Sequence, residues 1–109
     1  MAVANEPKPG QFVTAFDLNR VIFAINALEG RLGFALSDMQ LFRRGDVVGF
    51  QGINRFLTPI ERVRRHLGLK IEWQRHPVAL DQLYSAQHMN ELYSSINEAI
   101  EAVMARSRA

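Results

Sequence analysis

The side chains best suited to proton transfer or metal binding in this 109-residue chain are His66, His76 and His88. None has a second histidine four positions away, and the chain has no cysteine. Neither the paired-imidazole pattern nor the thiolate pattern of a zinc site is therefore present. The three imidazoles are expected to pack or to face solvent, and no cofactor is expected. Asp38, Asp46, Glu61 and Glu72 are scattered carboxylates whose spacing does not require them to meet. There is no Gly-x-Ser-x-Gly nucleophile turn. The stretch from Gly45 to Gly52 lacks the Gly-Lys-Ser/Thr ending of a phosphate-binding loop. Arg44-Gly45-Asp46 spells a cell-adhesion tripeptide, but a match of that length recurs by chance. The residues offer no catalytic set, so a non-enzymatic role without a small-molecule substrate is expected.

Charge offers a second kind of chemistry. The net charge is only +2, yet residues 43–76 hold eight Arg and Lys against three Asp and Glu, and the remainder holds five against eight. Arg43, Arg44, Arg55, Arg62, Arg64, Arg65, Lys70 and Arg75 are candidates for contact with an acidic partner or with nucleic acid, by neutralising phosphates. Phe50, Phe56 and Trp73 are interleaved and are candidates for base stacking. The bland alternative is a solvated helix face with core aromatics, in which arginines near Gly68 favour a helix C-terminus.

The third candidate chemistry is polar pairing beside an apolar seam. Asn19 and Asn26 are seven residues apart, as are Asn90 and Asn97. Seven residues are two helical turns, so each pair shares a helix face. Leu18, Val21, Ile25 and Leu28 recur beside the first pair, and Met89, Leu92, Ile96 and Ala99 beside the second, at helical spacing. The two segments repeat one another at an offset of 71 residues: Thr14-Ala15-x-x-Leu18-Asn19-x-Val21 matches Ser85-Ala86-x-x-Met89-Asn90-x-Leu92, and Ile25-Asn26 matches Ile96-Asn97. The expected role is a helix-association seam with the asparagines setting register, within one chain or between copies. The alternative is two ordinary amphipathic helices with surface asparagines.

The elements that must position these groups follow from local signals. Thr14 and Asp17 suit a helix start, and Gly30 and Gly33 are its expected terminators. Ser37-Asp38 is read as the cap of a short helix through Phe42. Arg43 to Asp46 reads as a turn, and Val47 to Phe56 as a loop or short strand. Thr58-Pro59-Ile60-Glu61 predicts a capped helix that Gly68 stops. Leu69 to Gln74 alternates weakly, as a short strand would. His76-Pro77 breaks it, and a long helix beginning near Asp81 or at Ser85 runs to about Ala105. The expected fold is mainly α: two longer terminal amphipathic helices, a shorter central helix, and a small irregular or β-containing middle. Residues 1–13 are read as an irregular tail and 14–109 as a single α-rich domain. A 48% hydrophobic and 22% charged composition suits one globular unit. The start lacks the basic and apolar regions of a signal peptide, and no apolar run is long enough to span a membrane. A soluble protein made in the cytoplasm, with no membrane partner, is expected.

Thr14-Ala15-Phe16-Asp17-Leu18-Asn19 with Ile25-Asn26-Ala27-Leu28-Glu29, and Ser85-Ala86-Gln87-His88-Met89-Asn90 with Ile96-Asn97, resemble helical segments of fibre, collar and other structural proteins of tailed bacteriophages. The resemblance covers the two terminal segments only. It implies a bacteriophage virion component of tail, collar or fibre attachment, whose coiled-coil-like helices join copies around an axis, frequently as a trimer, and bind other virion proteins.

Overall fold

The computed structural model describes residues 15–44, 50–79 and 85–108, without the side chains of 50, 51, 107 and 108. The tail over 1–13, the Thr14 cap, Gly45, Asp46, Val47, Gly49 and Asp81 lie outside the described residues. Among the described residues there are four helices: α1 (Ala15–Arg31), α2 (Phe50–Asn54), α3 (Leu57–His66) and α4 (Ala86–Arg108). The mainly helical fold is as expected. Among the described residues there is no strand, so the β-containing middle is not found.

The three longer helices pack pairwise on one another. They run in the same direction. Near their starts, the Tyr93 hydroxyl donates to the Asp17 carbonyl at 3.3 Å. Near their ends, Leu28 and Arg31 face Ile100, Val103 and Met104. Arg62 of α3 reaches Glu29 of α1, and the His66 ring meets Phe34 just beyond α1. Parallel neighbours require the chain to travel back after each helix. Residues 34–44 return along α1, from Phe34 beside Glu29 to Phe42 beside Asn19. Residues 69–79 return along α3, from Trp73 beside Glu61 to Val78 beside Asn54. Non-helical chain advances up to ~3.3 Å per residue against ~1.5 Å in a helix, so short returns suffice.

Glycine ends both helices that feed a return. Gly33 has φ +77° and Gly68 has φ +74°, the left-handed conformation that costs other residues strain. The amides of Phe34 and Leu69 then bond back to the carbonyls of Glu29 and Arg64 at 2.9 Å. These are Schellman closures that satisfy otherwise orphaned carbonyls. Gly33 and Gly68 therefore act as expected, whereas Gly30 lies inside α1.

Several local readings are corrected. No helix forms from Ser37 to Phe42, because the Ser37 hydroxyl and amide both donate to the Glu29 carboxylate instead of capping. Residues 50–54 are helical, not strand or loop, and this turn leads through Arg55 and Phe56 into α3. The helix therefore begins before Thr58. Phe56 occupies the cap position without a side-chain cap, and Thr58 lies exposed within the first turn. Pro59 is still tolerated there, since first-turn amides have no intrahelical acceptor. Glu61 accepts from the Trp73 indole at 2.9 Å and closes no capping box. Residues 69–74 form no ladder: the Leu69 amide bonds to the Arg64 carbonyl, the Lys70 carbonyl accepts from the Arg64 side chain, and the Gln74 amide donates to Glu91 of α4. The long helix starts at Ala86 and reaches Arg108.

One core unites the helices: Leu18, Val21, Ile22, Ile25 and Leu28 of α1, Ile53 and Phe56, Ile60 and Val63 of α3, and Met89, Leu92, Tyr93, Ile96, Ala99 and Ile100 of α4. Replacing Ile96, which is 0% exposed, by alanine is expected to lower unfolding free energy by about 2–4 kcal/mol. Urea denaturation measures this, and sedimentation should show no change of mass. Glu29→Ala should cost about 2–4 kcal/mol, through lost acceptors for Ser37 and Arg62. Arg62→Ala should also destabilise, because it leaves the buried Glu29 carboxylate without its cationic partner.

Candidate interaction surface

The α1 sequence has two apolar faces. The 3.6-residue period turns Leu18, Val21, Ile22, Ile25 and Leu28 inward, where all are buried. It turns Phe16 and Phe23 to the opposite side, where they are 68% and 57% exposed. The Arg20 guanidinium lies 5.4 Å from the centre of the Phe16 ring, so a cation covers part of the aromatic face. The first return segment adds Leu36 and Leu41, at 61% and 47% exposure. Asn19 fixes this segment beside the helix. Its side-chain amide donates to the Phe42 carbonyl at 2.9 Å and accepts from the Phe42 amide at 2.8 Å. At the other end, Leu36 Cδ2 lies 4.0 Å from where a Cβ on Gly30 would stand. Exposed side chains of the segment thus flank the outer face of α1, and exposed Arg43 and Arg44 follow Phe42 at the end of the segment.

Leu18, Val21, Ile25, Leu28, Met89, Leu92, Ile96 and Ala99 were expected as an oligomer seam. All are 0–3% exposed within a single chain. The seam joins α1 to α4 of the same molecule and is covered by α3, so the expectation of stripes left exposed for a second copy is corrected. The asparagines do not set a common register. Asn19 is occupied by Phe42. The Oδ1 atoms of Asn26 and Asn90 are buried without a hydrogen bond, and Asn97 is half-buried on α4.

The basic residues divide. Arg64 is buried, donating to the carbonyls of Lys70 and Ser95 at 2.8 Å and pairing with Glu98 at 3.1 Å. It is a brace, and it corrects the expected phosphate contact at that position. Arg62 pairs with buried Glu29 and lies 4.9 Å from the Phe34 ring centre. Arg55 donates to the Gln40 carbonyl at 2.6 Å and stacks 4.7 Å from Phe42, and burial pulls its guanidinium pKa down. Arg43, Arg44, Arg65, Lys70 and Arg75 remain exposed. Phe56 is fully buried and Trp73 packs against the core, so neither is placed for stacking on bases; the Phe50 side chain lies outside the described residues.

The structure does bring two histidines together. The buried rings of His76 and His88 meet edge to face at 5.6 Å, and Trp73 lies 5.5 Å from His76. Glu91 collects this end of the second return segment, accepting from the amides of Gln74 and Arg75 at 2.9 and 3.1 Å and meeting His76 Nδ1 at 2.7 Å. Ser85 carries the first carbonyl acceptor of α4, and its own amide donates to His88 Nδ1 at 3.2 Å. This is one half of a capping box, with an imidazole in place of the usual carboxylate, and the Ser85 hydroxyl lies 2.9 Å from the same ring nitrogen. Ser85-x-x-His88 was its legible signal. No cluster of metal-ligating side chains occurs among the described residues. An open apolar cleft of about 180 Å³ lies between the ends of α1 and α4, lined by Leu28, Arg31, Ile100, Val103 and Met104.

Phe16, Phe23, Leu36 and Leu41 were not singled out from the sequence. The signal for the first two was their seven-residue spacing off the Leu18–Ile25 stripe. The two leucines had none, because exposure in an irregular segment has no period. Comparison of the chain with protein-family models, with curated proteins and with solved structures finds no match. No described helix is long and apolar enough to cross a membrane.

Burial, and then the nearby His76 and Arg75, hold the His88 pKa below the ordinary 6.5, against the opposing pull of Glu91. The folded state therefore takes this proton less readily than the unfolded chain, and stability falls as pH drops below about 6.5. For Glu91, burial raises the pKa, but the His76 contact and the amides of Gln74 and Arg75 outweigh it and leave it lowered. Its contribution is lost at still lower pH. Denaturation midpoints should fall steadily from pH 7.5 to 4. His88→Gln keeps a box acceptor without a titrating ring, so it should flatten the decline between pH 6.5 and 5.

Proposed function

We propose that this chain is a non-enzymatic assembly protein that binds other protein subunits through the outer face of α1 and the adjoining segment 34–44. The observation that carries the reading is the exposure of Phe16 and Phe23, 68% and 57%, on the face of α1 turned away from the other described helices. Exposed large apolar groups grouped together, and rimmed by charge, mark interaction sites more often than scattered single ones do. A place in a bacteriophage virion is the most concrete version of the role and rests on the resemblance of the terminal helices alone.

A photo-crosslinking amino acid at position 23, introduced in the host cell, should give discrete protein adducts. The same group at Glu101, exposed on α4, should not. Adducts in equal yield from both positions, or from neither, would remove the proposal.

A further inference from the structure

The first turn of α4 carries two buried apolar side chains, Ala86 and Met89, and one imidazole fastens its start. The Ser85 amide donates to His88 Nδ1 at 3.2 Å, and the Met89 amide donates to the Ser85 carbonyl at 3.2 Å. An amide can only donate. His88 Nδ1 therefore carries no proton in this state, and the ring is the neutral form protonated on Nε2. A second proton can go only to Nδ1, where it sets one N–H against another. The Ser85 hydroxyl, 2.9 Å from the same nitrogen, can turn and accept from the new N–H. The amide cannot, so it loses its acceptor. We infer that the start of α4 is a proton-operated joint: a proton on His88 Nδ1 releases Ser85 and the first turn of α4, while the rest of α4 and the return segment 69–79 stay in place. The inference is independent of any partner on the outer face of α1.

The surroundings favour the closed, neutral state. Among the described residues, the charged and titratable groups around His88 are His76 and Arg75 of the return segment and Glu91 one turn along α4. The rings of His76 and His88 are both buried and meet edge to face at 5.6 Å. Burial, His76 and Arg75 oppose a proton on His88, and together they outweigh the pull of Glu91. Once the turn opens, the ring regains water and takes its proton at the ordinary value of 6.5. The open fraction therefore grows as pH falls through that value. Glu91 behaves differently. It accepts from His76 Nδ1 and from the amides of Gln74 and Arg75, and these contacts favour its charged form. The return segment thus keeps its anchor in the pH range where His88 yields. Its other ties, Trp73 to Glu61 and Val78 to Asn54, involve no imidazole.

NMR spectroscopy and fluorescence of the full chain test this. At pH 7 the imidazole nitrogen shifts of His88 should show Nδ1 unprotonated and Nε2 protonated. Between pH 7 and pH 5 the protection of the Ser85 and Met89 amides against hydrogen exchange, corrected for the intrinsic pH dependence of exchange, should fall by about tenfold. At pH 5 both should remain at least about tenfold less protected than the Ile96 amide, since the joint opens without the core. Trp73, the only tryptophan, should keep its emission maximum over the same range. His88→Gln supplies an acceptor without a titrating ring and should remove most of the pH dependence at Ser85 and Met89. A His88 ring protonated on Nδ1 at pH 7 overturns the inference. So does protection that does not change with pH, Met89 exchanging no faster than Ile96, a shift of Trp73 emission, or an undiminished pH dependence in His88→Gln. If that variant does not fold, the tautomer and the exchange pattern of the unaltered chain decide alone.

Discussion

Two stretches of chain that must travel back beside a helix without a strand for company set the terms for this fold. In a sheet, the ladder would take care of their amides and carbonyls. Here side chains do so, and a polar backbone group left buried without a partner would cost about 1–3 kcal/mol. Asn19 answers both polar groups of Phe42, and Asn54 answers both polar groups of Val78, at 2.9 and 2.7 Å. Glu29 holds Ser37, Glu91 holds Gln74 and Arg75, and the guanidiniums of Arg55 and Arg64 take the carbonyls of Gln40 and Lys70. Much of the polar content that looked available for partners is thereby committed to the chain's own connectors.

Those connectors are what permit three parallel helices. Antiparallel neighbours need only tight turns, whereas parallel ones need a return path along the bundle. The arrangement aligns the helix dipoles, which gathers partial negative charge at the shared C-terminal end. Arg31, Arg64, Arg65 and His66 occupy the last turns of α1 and α3 at that end and offset it. The internal repeat acquires a physical meaning in this frame. Its two copies lie side by side and in the same sense, and their apolar stripes share one core within a single molecule.

The sequence made the helical content legible where period and glycine agreed. Leu18 to Leu28 and Met89 to Val103 carry an unbroken 3.6-residue period, and Gly33 and Gly68 stand where left-handed closures are required. It misled where a local motif competed with a distant partner. Ser37, Thr58 and Glu61 look like capping residues, but the buried carboxylate of Glu29, the preceding turn of α2 and the Trp73 indole each impose a different use. Nothing local announces contacts across 8 to 24 positions such as Ser37 with Glu29 or Asn19 with Phe42. The inward apolar stripes were read correctly as stripes. Whether a stripe is covered by its own chain or by another depends on α3 and the returns, which a helical period cannot disclose.

Stability and recognition meet in Asn19. Its side chain ties residue 42 to the helix, and the same tie carries the segment bearing Leu36 and Leu41 alongside Phe16 and Phe23. The outer face therefore has its width because a connector needed a backbone partner. Among the described residues, α3 and α4 occupy the inner side of α1 and the returning segment occupies a flank. Arg20 over Phe16 softens the exposure of one ring without removing it from contact. Among the described residues the helices are thus closed around their own core while the outer side of α1 stays exposed, so the inward residues hold the fold and the proposed partner contact falls to the outward ones.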